Sequence, residues 1–147
     1  MVERSASRTP VAQLLHRACQ RADSVFAQAV GKPALTRSQY AVLNAVKQSG
    51  GGSQSTIVEG TGIDRSSVAD LAARLVKRGW LQRSRSEHDK RAYEVRLTAK
   101  GAAILAAVGP AARKTNDALL APLSKVERSQ FLAALERIVG DAQGQDA

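Results

Sequence analysis

Residues that build disulfides, metal sites and membrane spans are scarce in this sequence. Cys19 is the one cysteine among 147 residues, so the chain cannot form an internal disulfide. The two histidines, His16 and His88, lie far apart and provide no Cys/His metal cluster. No apolar run approaches the roughly 18 uninterrupted residues that a membrane helix needs, and residues 1–10 are too polar for a signal peptide. We therefore expect a cytoplasmic protein without a structural metal.

Acidic and aromatic side chains are also few. The sequence has 13 Asp and Glu against 22 Lys and Arg, which gives a formal net charge of +9 and a pI near 10.4. Aromatic residues make up 3% of the chain and hydrophobic residues 44%, a composition typical of one folded, helix-rich domain over residues 1–147. The basic excess favours a polyanionic partner, most often nucleic acid.

Catalytic motifs are missing as well. Neither histidine has a serine or cysteine partner in a recognisable motif. Gly50, Gly51 and Gly52 follow a predicted helix rather than a strand, so they do not form a phosphate-binding loop. The sequence therefore indicates a protein that is not an enzyme and needs no cofactor.

Apolar residues at helical spacing predict six helices, with one β-hairpin between the fourth and the fifth. The predicted helices cover about residues 9–30, 36–49, 53–61, 64–78, 98–120 and 124–139. Residues 80–85 and 92–97 are predicted strands, joined by a tip at residues 86–91. Residues suited to capping begin five of the helices, namely Thr36, Ser53, Asp64, Thr98 and Ser124. We also expect a kink at Gly109-Pro110 and a frayed tail from Gly140 to Ala147.

The third and fourth predicted helices, separated by a short turn with Gly62, form a helix-turn-helix. Residues 65–100 hold ten basic side chains against four acidic ones, and a second helix of this charge can enter the major groove of DNA. Its first turn, Arg65, Ser66 and Ser67, would meet base edges, and basic residues farther along would meet phosphates. The other DNA-binding candidates lie on this helix and on the hairpin: Arg74, Lys77, Arg83, Arg85, Asp89, Lys90 and Arg91. The alternative is a solvated basic face on which Asp64 or Ser67 only caps the helix.

Residues 62–101 resemble the core of the MarR family of bacterial transcriptional regulators. The motifs that carry the resemblance are Gly62-Ile63, Arg74-Leu75 with Gly79-Trp80-Leu81, Asp89 with Arg91, and Leu97-Thr98 with Gly101. The helix order outside these motifs matches the family over nearly the whole chain. The resemblance implies a mainly α winged helix-turn-helix with a small β-hairpin wing, whose DNA-binding lobe covers about residues 35–100.

The resemblance also implies what the wing and the outer helices do. Arg91 would reach from the wing into a minor groove, while Asp89 would hold the tip by pairing with a wing arginine such as Arg83 or Arg85. A narrow minor groove concentrates negative potential and therefore attracts an arginine. Helices at about residues 9–30 and 99–140 would form a homodimer on a palindromic operator, because their apolar stripes need a partner.

Many regulators similar to this one bind a small aromatic acid or phenol between the dimerisation helices and the DNA-binding lobe. By that resemblance the chain would be a repressor that such a ligand releases from DNA. The polar residues available in this region are His16, Arg17, Cys19, Gln20, Asp23 and Tyr40. A carboxylate ligand would pair with a cation such as Arg17 or protonated His16.

Two alternatives to a ligand-released repressor remain open. Another branch of the family senses organic peroxides through a cysteine near the start of the first helix, assisted by tyrosines. Cys19 lies deeper in that helix, and no tyrosine precedes Tyr40. The other alternative is a winged-helix module that docks on protein, which would have a neutral recognition helix, whereas Arg65, Arg74 and Lys77 make this one basic.

Overall fold

The computed structural model describes residues 9–32 and 35–143 and contains six helices and one antiparallel hairpin in that part of the chain. Their bounds are α1 Val11–Val30, α2 Arg37–Ser49, α3 Gln54–Thr61, α4 Arg65–Lys77, β1 Leu81–Arg85, β2 Tyr93–Leu97, α5 Ala99–Leu120 and α6 Lys125–Gln143. The predicted mainly α winged helix-turn-helix with six helices is therefore confirmed. None of the described helices combines the length and the hydropathy of a membrane span.

The predicted capping residues start their helices by binding backbone N–H groups that the first turn leaves free. The Thr36 hydroxyl accepts from the N–H of Gln39, whose side chain accepts in return from the N–H of Thr36, so α2 begins with a capping box. Ser124 and Glu127 exchange the same two bonds at the start of α6. The side chains of Ser53, Asp64 and Thr98 cap α3, α4 and α5, since each accepts from the backbone N–H three residues later.

The core lies where α2, α3 and α4 pack against the base of the hairpin and against α5. Its fully buried large side chains are Phe26, Val42, Leu43, Val46, Ile57, Val68, Leu75 and Leu81. Leu105 and Val108 of α5 join this cluster, and α1 packs mainly on α5, with Ala22 and Phe26 as its buried residues. This cluster fixes the orientation of α4 relative to the hairpin, which is what a DNA-reading surface requires.

Gly101, in the first turn of α5, allows this helix to approach the backbone of Trp80 closely. A Cβ at this position would overlap the carbonyl oxygen of Trp80. The neighbouring Thr98 holds the same junction, since its hydroxyl donates to the carbonyl of Gly79 at 2.6 Å and its N–H donates to the carbonyl of Trp80 at 3.1 Å. The Leu97-Thr98 and Gly101 motif therefore has a packing role at this junction.

The hairpin is a short twisted ribbon whose base belongs to the core and whose tip is in solvent. Leu81 pairs with Leu97 and Arg85 with Tyr93. Val95 is buried, but Tyr93 is 62% exposed, because the lobe covers only the base of the hairpin. Gly52 adds a third, one-residue strand, because it exchanges both backbone hydrogen bonds with Val95.

The long helices differ from prediction in one place. α6 continues through Gly140 to Gln143, so the frayed tail predicted from Gly140 begins too early; residues 144–147 lie outside the described part of the chain. α5 runs through Pro110 as one helix, and the kink expected there stays a prediction.

The outer helices carry apolar side chains that this chain leaves uncovered. On α1 they are Val11, Leu14 and Leu15, and on α6 they are Val126, Phe131, Leu132, Ile138 and Val139. Phe131 is 41% exposed and Ile138 57% exposed. The apolar stripe of α6 and the N-terminal part of the stripe of α1 are thus at the surface of the single chain.

Candidate nucleic-acid interface

The first turn of α4 is organised by Asp64. Its Oδ1 accepts from the backbone N–H of Ser67 at 2.9 Å and from the hydroxyl of Ser66 at 2.8 Å, and its Oδ2 accepts from the hydroxyl of Ser67 at 2.7 Å. These bonds, led by the Ser67 hydroxyl, lower the pKa of Asp64 from 3.8 to about 2. The carboxylate is therefore ionised at every pH at which the protein would bind DNA.

Arg65 lies beside this turn and is tied to the preceding helix. Its Nη2 donates to the hydroxyl of Ser55 at 2.8 Å. Arg65, Ser55, Arg83 and Tyr93 line part of a cleft of about 400 Å³ between the start of α3, α4 and the hairpin. The fold thus brings the first predicted base-reading residue and the first predicted wing arginine to one cleft.

In the second half of α4, two of the basic side chains contact neighbouring side chains. Arg74 forms an ion pair with Asp70 one turn earlier, Nη2 to Oδ2 3.0 Å, and both side chains are more than 60% exposed. Lys77 is exposed, and the guanidinium of Arg78 stacks over Trp80 at 4.3 Å from the ring centroid. Exposed pairs of this kind contribute little to stability, so Arg74 can exchange Asp70 for a phosphate at small cost.

The wing tip is held by short-range hydrogen bonds rather than by an ion pair. Asp89 Oδ1 accepts the backbone N–H of Arg91 at 2.9 Å, and the carbonyl of Asp89 accepts from Ala92. Neither Arg83 nor Arg85 forms a salt bridge with Asp89, because the carboxylate faces the amide two residues along. The expected pairing of Asp89 with a wing arginine is therefore wrong, although Asp89 does stabilise the tip.

The buried Ser86 stabilises the same loop through three hydrogen bonds. Its hydroxyl donates to Glu94 Oε1 at 2.9 Å and accepts from the N–H groups of His88 and Asp89 at 3.2 and 3.4 Å. Sequence reasoning missed Ser86 and Glu94, and the available signal was a serine and a carboxylate at matching ends of the predicted hairpin. Together with Asp89 they define the loop that presents Arg91.

The predicted wing cations are all free of ion pairs within the described part of the chain. Arg83, Arg85, Lys90 and Arg91 are exposed. Arg83 and Arg85 are two residues apart on β1 and so extend from the same face of the hairpin. This face of the hairpin and the first turn of α4 meet at the cleft that Arg65 and Arg83 line.

A second cavity, of about 560 Å³, lies between α1, the start of α2 and α4. Its lining includes Phe26, Leu35, Leu71 and the ion pair of Arg37 with Asp23, whose Nε to Oδ1 distance is 2.7 Å. Both partners are partly exposed, with side-chain exposures of 39% and 58%. The cavity therefore combines an apolar wall with one cation and one anion at its mouth.

The six residues predicted for a ligand are not brought together. Asp23 lines this cavity, and Tyr40 packs on Phe26 with ring centroids 5.6 Å apart. The other four are exposed on α1 outside the cavity lining, namely His16, Arg17, Cys19 and Gln20. Arg37, which supplies the cavity's cation, was not among the predicted residues. Among the described residues no group of three or more His, Cys, Asp or Glu side chains is placed to hold a metal.

Comparison with known proteins shows the family of this chain. Residues 35–92 match the sequence model of the MarR family. The chain is 33% identical over 129 residues to the HTH-type transcriptional repressor NicR of Pseudomonas putida, an alignment that covers 88% of this chain and 82% of NicR.

Two solved structures superpose over almost the whole chain. BpsR of Bordetella bronchiseptica, whose DNA binding is regulated by 6-hydroxynicotinic acid, aligns with a TM-score of 0.84 and 30% identity over 92% of this chain and 96% of BpsR. PcaV of Streptomyces coelicolor, solved in complex with its natural ligand, aligns with a TM-score of 0.83 and 32% identity over 94% of this chain and 99% of PcaV.

Proposed function

The chain belongs to the MarR family of transcriptional regulators, and from this premise we propose that it is a homodimeric repressor that a small aromatic or phenolic acid releases from its operator. The members of this family are DNA-binding regulators and not enzymes, in agreement with the prediction from the sequence. We place the protein in the cytoplasm, where it would meet its operator.

The observation that carries the DNA-binding part of the proposal is the shared cleft of Arg65 and Arg83. It supports the simultaneous use of α4 and the wing on one duplex. In this proposal Arg65, Ser66 and Ser67 face base edges in the major groove. Phosphates are contacted by Arg74, Lys77, Arg83, Arg85 and Lys90. Arg91 enters the adjacent minor groove from a tip that Asp89 holds.

The exposed apolar side chains of α1 and α6 support assembly into a homodimer. A face with Phe131, Leu132 and Ile138 in solvent is unfavourable for one chain, and a second copy can cover it by two-fold symmetry. Such a dimer would present its two α4 helices to successive major grooves. The operator we propose is therefore palindromic, with half-sites about 10 base pairs apart.

The cavity with Arg37 and Asp23 supports an acidic aromatic effector. The Phe26 side chain forms part of its apolar wall, and the Arg37 guanidinium can bind a carboxylate once Asp23 yields to it. Because α1 and α2 both line the cavity, a ligand there could change how the dimerisation helices sit on the DNA-binding lobe. Release from DNA requires that the ligand bind the released state more tightly, by about 1.4 kcal/mol for each tenfold loss of affinity.

The DNA-binding proposal is tested by fluorescence anisotropy with the DNA upstream of the chain's own gene and of its neighbours. We expect one of these duplexes to bind in preference to random DNA, with an affinity that falls steeply as salt rises, because phosphate contacts release counterions. Equal and weak binding to all duplexes at low salt would favour the protein-docking alternative.

The effector proposal is tested with 6-hydroxynicotinic acid and benzoic acid as probes, on variants with matched charge changes. We expect Arg37→Gln to keep DNA affinity but to lose release by an acid that acts on the wild type. The control is Arg17→Gln on the exposed side of α1, which should respond like the wild type. If Arg17→Gln alone abolishes release, the ligand binds at α1 and not in the Arg37 cavity.

A further inference from the structure

Asp64 controls which hydrogen-bonding groups the first turn of α4 can offer to DNA. Each serine hydroxyl has one proton to donate and two lone pairs that accept. The protons of Ser66 and Ser67 are both used on Asp64, at 2.8 and 2.7 Å. The two hydroxyl oxygens are thus left as acceptors only.

The carboxylate adds to this pattern. Asp64 is exposed and its Oδ2 accepts one bond from within the protein, so this oxygen keeps a free lone pair. Ser66 is also exposed. The side-chain donors of this turn come from Arg65, whose guanidinium lies beside Ser55. Among the side chains of this turn, Asp64, Ser66 and Ser67 therefore present acceptors and Arg65 presents donors.

Bases differ in the group that meets such an acceptor in the major groove. Adenine offers the N6 amino group and cytosine the N4 amino group, and both are donors, whereas the corresponding group is an acceptor in guanine (O6) and in thymine (O4); N7 is an acceptor in both purines. An acceptor on the protein therefore matches an amino base and opposes a keto base. Inverting a base pair therefore replaces an amino base with a keto base, or the reverse, on a given strand.

We infer that Asp64 is a positioning residue that makes Ser66 and Ser67 select adenine or cytosine, and reject guanine or thymine, on the strand they face. The inference rests on the proposed placement of α4 in a major groove and adds the chemistry of what is read there. Arg65, with its donors, takes any keto base that this part of the operator contains.

The test uses the full chain and the operator located by footprinting, with every base pair of one half-site replaced in turn by the other three. At one or more positions we expect the exchange of adenine for cytosine to change Kd less than about threefold. Inversion to thymine or guanine at the same position should raise Kd about tenfold or more. A half-site in which no position separates amino from keto bases in this way overturns the inference.

Asp64→Asn sharpens the result, because asparagine still caps a helix through its Oδ1, while its amide nitrogen can stand in the place of Oδ2, donate to the Ser67 hydroxyl and leave the proton of Ser67 free. We expect this variant to lose the amino preference at the position that Ser67 faces while its salt dependence on random DNA stays unchanged. Asp70→Asn is the matched control, with the same change of charge on the same helix, and should keep the preference. Retention by Asp64→Asn, or equal loss in Asp70→Asn, contradicts the role of Asp64.

The outcomes separate this inference from the proposed function. A wild-type chain that binds no duplex over a range of salt overturns both. A chain that binds its operator with normal salt dependence but without the amino preference overturns only the role of Asp64. If Asp64→Asn fails to fold, the base-replacement series on the wild type decides alone.

Discussion

The DNA-binding lobe and the outer helices of this chain differ in how far their apolar side chains are buried within one chain. Seven of the eight largest fully buried side chains lie between residues 42 and 81, within the lobe. On α6 no side chain is buried among residues 125–140, and its apolar stripe is in solvent. The lobe therefore closes its core within one chain, whereas the apolar stripe of α6 lies in solvent, where we propose that a second chain covers it.

The largest effect should come from a change that breaks the lobe itself. In Gly101→Ala the new methyl group would overlap the backbone carbonyl of Trp80, which cannot move without shifting the wing. We expect a loss of about 4 kcal/mol in the free energy of unfolding, measured by urea denaturation.

Gly109→Ala is the control for helix propensity in the same helix. Its Cβ would find open space except for the flexible end of Arg113 at 3.6 Å, so we expect a gain of about 0.5–1 kcal/mol. Similar stabilities for the two variants would show that the α5–Trp80 junction is not close-packed.

A charge on the outer apolar face should break the assembly and leave the lobe intact. Leu132→Glu places a carboxylate where we propose the partner packs, and removal of an unpaired charge from water should weaken the dimer by about 3 kcal/mol. Sedimentation velocity should show monomers whose far-UV circular dichroism is close to that of the wild type.

The matched control is Gln130→Glu, which adds the same charge on the opposite face of α6 and should remain dimeric. If both variants stay dimeric at micromolar concentration, the stripe on α6 is not the interface and the comparison between the two regions fails.

A change at the wing tip should affect DNA binding without affecting either stability or assembly. Arg91→Ala should weaken operator binding by about 1–3 kcal/mol and relax the preference for A/T base pairs beside each half-site. Lys125→Ala, which removes a cation at the start of α6, should leave the affinity unchanged. An Arg91→Ala variant with wild-type affinity at both low and moderate salt would mean that the wing does not reach DNA.

The smallest effect belongs to Cys19 on the outer helix α1. Its side chain is exposed, so Cys19→Ser should change stability by no more than about 0.5 kcal/mol and should leave ligand release intact. If a near-stoichiometric dose of peroxide abolishes DNA binding by the wild type and not by Cys19→Ser, the redox alternative replaces the ligand-released repressor.

Features that depend on neighbours in sequence were predictable. Thr36 and Gln39, or Asp64 and Ser67, are three residues apart, so their hydrogen bonds follow from helix geometry and the residue types alone. The apolar spacing on α6 likewise predicted both the helix and its unpartnered stripe, because periodicity reports a face whether or not the same chain covers it.

Contacts between distant residues were not predictable in the same way. The pairing of Gly52 with Val95, the bond of Arg65 to Ser55 and the pair of Arg37 with Asp23 each depend on how helices and strands pack. The family resemblance implied an arginine partner for Asp89, but a backbone amide two residues away is held in place by the turn and costs no side-chain entropy. The pairing of Arg37 with Asp23 joins two helices, so the spacing of residues along the sequence did not indicate that Arg37 lines the cavity.

The stoichiometry of the operator complex tests the central account most directly, because it requires the lobe to read DNA and the outer helices to assemble. We predict that analytical ultracentrifugation will find two chains on each operator duplex, and that hydroxyl-radical footprinting will show two protected segments about 10 base pairs apart on one face. Leu132→Glu should bind the same duplex far more weakly. A single chain that saturates the operator at wild-type affinity, with one protected segment, would contradict the account.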